Sequence, residues 1–225
     1  MTQIRAENWF ASNGWKVFPF QTSAWKHYNE GFNGIVNAPT GSGKTYSLMV
    51  PILQSIEKGK GLQAIWITPI RALSKEILQS TEKAAKGLDL EVKVAVRTGD
   101  TSTKDKTKLK KSPPDILITT PETIHLLLAQ KGYDSYFKNV KAIVMDEWHE
   151  LMGSKRGVQI ELALSRLKSI SPQLRIWGIS ATIGNMEESL QVLLGNWHET
   201  RPKVIVKSKI KKKYIVKSVF PNELE

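Results

Sequence analysis

Ala38-Pro39-Thr40-Gly41-Ser42-Gly43-Lys44-Thr45 is the stretch of this chain whose residue types and spacing most constrain chemistry. Glycines let successive backbone N–H groups turn inward around a phosphate. Lys44 supplies a point charge for β- and γ-phosphates, and the Thr45 hydroxyl can ligate Mg²⁺. The run follows a short apolar stretch and opens a helical one, the context a P-loop requires. Thr40, Gly41, Ser42, Gly43, Lys44 and Thr45 are therefore expected to hold a nucleoside triphosphate with its metal. The strict pattern wants glycine where Ala38 stands, but that position needs little beyond smallness. The competing reading is a glycine-rich turn that binds nothing. It accounts for the glycines but leaves the Lys-Thr ending unexplained.

Asp146-Glu147-Trp148-His149 follows the apolar run Ala142-Ile143-Val144-Met145. Two adjacent carboxylates at a strand end can divide labour: Asp146 holds the magnesium shell, and Glu147 orients and polarises the attacking water as a general base. An acidic helix cap is the plainer alternative.

These groups must be positioned by a scaffold, and the apolar pattern indicates which. Strands are expected at Gly34–Asn37, Leu62–Ile67, Val92–Val96, Ile116–Ile118, Ala142–Met145 and Arg175–Ile179. Helices are expected over Gln3–Asn13, Thr22–Asn29, Lys44–Ile56, Arg71–Ala85 and the segment after Gly157. Short apolar strands alternating with amphipathic helices specify an α/β fold, a mostly parallel sheet covered on both faces. The Lys/Thr/Ser-rich piece from Thr101 to Ser112 reads as a surface loop. Beyond Thr200 the chain is β-prone and rich in lysine, a tail of one or two strands leading out of the domain.

The chain has 225 residues, 40% hydrophobic and 24% charged, as in ordinary globular proteins. No apolar run approaches a membrane span, the first residues lack a secretory pattern, and cytoplasm is the expected location. Without cysteine there is no disulfide framework, Cys-ligated zinc or thiol catalysis. His27, His125 and His198 show no metal spacing. The net charge of +12 is segmental. Lys104, Lys106, Lys108, Lys110 and Lys111 face only Asp105, and Lys203 to Lys217 carries no acid. Such segments attract phosphate polyanions, although solubility alone would also explain them.

Taken in order, these motifs resemble the superfamily 2 helicases. Motif I corresponds to Ala38–Thr45, motif II to Asp146–His149 in its Asp-Glu-x-His form, and motif III to Ser180-Ala181-Thr182. The resemblance, spanning roughly Trp15 to Asn185, implies a RecA-like P-loop NTPase domain that binds ATP and Mg²⁺. It implies that Gln21, in Phe18-Pro19-Phe20-Gln21, reads adenine, an edge that an amide can pair twice. Trp15 lies close enough in sequence to pack near the base. His149 would link the ATP site to Ser180 and Thr182. Arg71, Thr98, Gly99, Thr119 and Thr120, in segments that resemble the family's strand-gripping loops, would touch phosphates of single-stranded nucleic acid. Lys155 and Arg156 either meet the strand or sit in a solvated loop. Glu147–Gln159 with Ser180–Asn185 is most similar to the large helicase-related branch and its bacterial ligase-associated DExH-box enzymes. That branch implies 3′→5′ translocation on DNA in DNA repair, with DNA-repair nuclease or ligase proteins as partners.

The resemblance sets the expected organisation. Residues 1–200 form the RecA-like domain, with N-terminal helices in 1–31, and residues 201–225 form a basic tail or linker. Too little chain follows motif III for the second RecA-like domain that would bring arginine fingers, so this chain alone is expected to be nearly inactive. An RNA motor, a non-enzymatic nucleic-acid adaptor with a structural P-loop and a small-molecule P-loop kinase remain as alternatives.

Overall fold

Seven parallel strands form one sheet in the order β3-β4-β2-β5-β6-β1-β7. The computed structural model describes residues 2–181 and 183–210. Along the chain run α1 (Thr2–Ser12), α2 (Pro19–Asn29), β1 (Asn33–Asn37), α3 (Tyr46–Ser55), β2 (Ala64–Ile67), α4 (Arg71–Gly87), β3 (Val94–Arg97) and α5 (Thr103–Lys111). These are followed by β4 (Ile116–Thr119), α6 (Pro121–Leu128), α7 (Tyr133–Phe137), β5 (Ala142–Met145), α8 (Trp148–Leu151), α9 (Lys155–Ile170), β6 (Arg175–Ser180), α10 (Met186–Leu194) and β7 (Lys203–Lys207). This is the expected α/β architecture.

Strand periodicity divides the core in two, because successive side chains point to opposite faces. Ala64 and Trp66, Ile116 and Ile118, Ala142 and Val144 join one cluster, which the first four helices cover. Ile65 and Ile67, Leu117, Ile143 and Met145 join the other, beneath α6 to α10. With both faces buried, the strands read as continuous apolar runs. All seven carboxyl ends lie along one edge, where the P-loop, Asp146–His149 and the segments that begin at Arg71, Thr98 and Thr120 leave the strands, while Gln21 sits in the first turn of α2.

Two stretches differ from the sequence expectation. Thr103–Lys111 is helical rather than a loop: Ser102 caps it by accepting from Asp105 N at 3.1 Å, and Lys108, Lys110 and Lys111 occupy the last turn. Lys203–Lys207 does not lead away but pairs with β1 as the edge of the sheet. Asn33 fixes that junction, its Oδ1 accepting from Ile176 N at 2.8 Å and its Nδ2 donating to Pro202 O at 3.2 Å. A Cβ at Gly34 would stand 2.3 Å from Val204 O and 2.9 Å from the Trp177 ring, so only glycine admits both neighbours. In α1, Trp9 and Phe10 are buried whereas Ile4, expected on the same apolar face, is exposed. The tail from residue 211 onward lies outside the described residues, as does Thr182.

Candidate functional site

The turn after β1 starts from a fixed base. Ala38 N donates to Ser180 O at 3.1 Å, and Asn37 Nδ2 reaches the same carbonyl at 3.3 Å, tying the phosphate loop to the end of β6. Gly41 and Gly43 both take φ of 76°, the left-handed region that glycine enters at no steric cost. Ser42 Oγ donates to Pro39 O at 2.6 Å and closes the loop. Thr45 stands at the N-cap of α3 without a side-chain capping bond, so its hydroxyl is not committed to the helix's own N–H groups.

Lys44 is 7% exposed, and its Nζ donates to Glu147 Oε1 at 2.5 Å. One contact thus joins the P-loop to the acidic pair at the end of β5. Asp146 is buried; Trp66 Nε1 donates to its Oδ2 at 3.2 Å and Glu147 N to its Oδ1 at 3.0 Å. Burial, with help from the neighbouring Glu147 charge, pushes the Asp146 carboxyl up to about 6 against the opposing effects of Trp66 and Lys44. A buried carboxylate held at such a cost is suited to a cation, whose charge reverses the penalty. Mg²⁺ needs only one or two carboxylates beside phosphate oxygens and waters, and Asp146 is placed to supply one.

Glu147 has φ of 45° and ψ of 47°, a left-handed conformation uncommon for a residue with a side chain. That bend presents its carboxylate to both neighbours. Oε1 receives Lys44, and Oε2 lies 3.5 Å from His149 Nδ1. His149 Nδ1 in turn stands 2.8 Å from Ser180 Oγ. Lys44, Glu147, His149 and Ser180 therefore form one chain of contacts across β1, β5 and β6.

Beside the phosphate loop opens a cavity of about 510 Å³, lined by Trp15, Phe18, Gln21, Ser42, Gly43 and Tyr46. Trp15 stacks on Tyr46 with centroids 5.5 Å apart. Gln21 is 1% exposed, and its amide is engaged at both ends. Oε1 accepts from Phe18 N at 2.9 Å, and Nε2 donates to Gly43 O at 3.0 Å. The amide retains one donor and one acceptor position, so its first duty here is to brace the P-loop against α2.

The other half of the edge carries the residues expected to contact the strand. Arg71 and Gly99 are exposed, and Arg71 Nη1 donates to both carboxylate oxygens of Asp100, at 2.7 and 2.9 Å. The threonines depart from the expectation. Thr119 is fully buried and its hydroxyl donates to Arg97 O at 2.7 Å, while Thr120 pairs with Thr123 at 3.2 Å under near-complete burial. Thr98 is 7% exposed, its backbone N–H donating to Thr101 Oγ1. Thr119 thus ties the end of β4 to that of β3, and all three threonines are buried rather than facing solvent. Arg156 is salt-bridged to Glu122 at 2.6 Å and also donates to Pro69 O. Sequence reasoning missed Trp66, Tyr46 and Asp100. Only Trp66 carried a signal: it stands in the strand beside β5, in register with Val144, two residues before Asp146.

Among known proteins, the family model described as DEAD/DEAH box helicase matches residues 18–189. The ATP-dependent helicase Lhr-Core of Methanothermobacter thermautotrophicus is 35% identical over 74% of this chain, and its counterpart from Methanocaldococcus jannaschii is 33% identical over 96%. The chain spans only 21% and 27% of those two relatives. The solved structure of Mycobacterium smegmatis helicase Lhr bound to ssDNA and AMP-PNP superposes with a TM-score of 0.84 at 29% identity, covering 93% of this chain and 28% of that one. No helix among the described residues is long and apolar enough to cross a membrane.

Proposed function

The chain belongs to the DEAD/DEAH box helicase family, and from that premise we propose that it is the nucleotide-holding half of an ATP-driven motor acting on single-stranded DNA. The observation that carries this reading is the Lys44–Glu147 contact beside buried Asp146. Lys44 trades its carboxylate partner for the β- and γ-phosphates, with Thr40 to Gly43 cradling them. Glu147, released, is then free to orient the attacking water. Thr45 and Asp146 would hold Mg²⁺, which would neutralise charge on the phosphates. His149 and Ser180, with Thr182, relay the state of the site to the strand-binding edge, where Arg71 and Gly99 meet backbone phosphates.

A second RecA-like domain supplies the fingers that complete the site, and finger residues are worth roughly 10³–10⁵ in rate. The preference for DNA draws support from the relative solved with ssDNA. The 3′→5′ polarity and the role in DNA repair with nuclease or ligase partners rest on the resemblance to the large helicase-related branch, and the cytoplasmic location is a reading of the sequence alone. Binding and hydrolysis of MgATP by this chain, with and without DNA, test the assignment. The expected result is measurable binding with little turnover, stimulated or not. Strong DNA-stimulated turnover would contradict the half-site, and absence of nucleotide binding would contradict the whole reading. Competition between matched DNA and RNA strands decides the sugar.

A further inference from the structure

Arg97 closes β3, and its position is electrostatically costly. It is 6% exposed, no acidic side chain among the described residues forms an ion pair with it, and its Nε is buried without a hydrogen-bond partner. The Tyr136 hydroxyl is buried and equally without a partner. The two belong to one site, because the guanidinium lowers the pKa of a tyrosine that burial otherwise raises. Both line a cavity of about 20 Å³, together with Lys110, Lys131 and Tyr133. Arg166 lies over the Tyr133 ring at 4.9 Å, bringing a further cation close.

An unpaired buried cation costs several kcal/mol in general, so a guanidinium kept in this state calls for an anion. A cavity this small has room for about one oxygen atom. Two residues that each carry an orphaned donor line one oxygen's worth of space, with Lys110 and Lys131 at the surface beside them, and together they fit an oxyanion whose remaining atoms stay outside. We propose that the Arg97–Tyr136 pocket is a phosphate-oxygen site, taking one non-bridging oxygen of a phosphodiester on the bound strand. This rests on the motor reading for the source of the phosphate. The pocket's chemistry would also accept free phosphate. It would extend the grip of the strand-binding edge to the flank of β3, beyond the loop that carries Thr98 and Gly99.

The test uses the full chain and its Arg97→Met, Tyr136→Phe and Lys131→Ala variants. Binding of a fluorescent dT oligonucleotide is measured across a salt series, and the Arg97 Nε–H resonance is followed during titration with inorganic phosphate. The expected result is a loss of affinity on the order of tenfold in Arg97→Met and severalfold in Tyr136→Phe. Removing Arg97 or Lys131 should also flatten the salt slope, by about 0.7 per lost phosphate charge contact. Arg97→Met should raise the melting temperature without ligand, since the charge it removes was buried and unpaired. Should Arg97→Met fail to fold, Tyr136→Phe and Lys131→Ala decide by the same readouts. Unchanged affinity and slope in the variants would overturn the proposal while leaving the motor reading standing. Were the unmodified chain to bind no oligonucleotide, the motor reading would fall, and the phosphate titration alone would decide the pocket: a resonance that moves in the unmodified chain and needs severalfold more phosphate in Tyr136→Phe supports it, and one that does not move, or moves equally in both, overturns it.

Discussion

Replacing Lys44 by alanine should weaken the protein before any nucleotide is added. The side chains of Lys44 and Glu147 are 8% and 20% exposed and meet at 2.5 Å. Breaking a fully buried pair by deleting one partner costs about 3–5 kcal/mol, because the other charge is left uncompensated. Glu147 retains some water contact and has His149 3.5 Å away, so about 2–3 kcal/mol is the expected loss here. For a chain of this size each kcal/mol lowers the melting temperature by about 2–4 °C, giving a fall of about 4–12 °C. Differential scanning calorimetry with and without MgATP reads both consequences. At a hundredfold excess over its dissociation constant, MgATP stabilises the unmodified chain by about 2.7 kcal/mol, and Lys44→Ala should lose that increment. Glu147→Gln is the control: its amide still accepts from Lys44, so ATP binding persists while hydrolysis by the complete protein falls. An equal ATP-induced shift in Lys44→Ala and the unmodified chain would refute the reasoning.

Other outcomes follow from the same geometry. Asp100→Asn releases Arg71 from its bidentate carboxylate, and because exposed pairs are weak, affinity for single-stranded DNA should rise by no more than about fivefold; unchanged or weaker binding in a fluorescence titration would contradict it. Ser180→Ala removes the 2.8 Å contact with His149 and should leave ATP affinity intact while reducing strand-stimulated turnover of the complete protein by about fivefold or more. Equal stimulation in both forms would speak against that coupling. Gly34→Ala forces a Cβ into Val204 O and the Trp177 ring and should cost about 1–3 kcal/mol, read as a lower urea midpoint with the slope unchanged.

The residues proposed to meet phosphate could be singled out in the sequence because their chemistry is local. A glycine-lysine-threonine turn after a strand, and two acids at the end of another, carry their own context. Six of the seven strands were legible, five of them because burial on both faces makes them largely apolar. What escaped were facts set by distant partners or by weak local signals. The pairing of Val204–Val206 with β1 joins segments some 169 residues apart, as in the Asn33–Pro202 bond, and nothing in a lysine-flanked apolar triplet specifies its neighbour. The helix over Thr103–Lys111 has no buried residue, so no apolar stripe announced it; only the Ser102–Asp105 spacing did. Thr119 and Thr120 were placed correctly at a strand end, yet which way their hydroxyls point depends on Arg97 and Thr123. The bend at Glu147 likewise leaves no mark in residue types, since glutamate has no preference for a positive φ.

A crystal structure of the chain with AMP-PNP and Mg²⁺ measures the central claim directly. The expected result is a triphosphate wrapped by residues 40–45, the metal within reach of both Thr45 Oγ1 and the Asp146 carboxylate, and Lys44 Nζ moved from Glu147 onto the phosphates. A nucleotide bound elsewhere, or a Lys44–Glu147 pair that persists with the triphosphate in place, would contradict it.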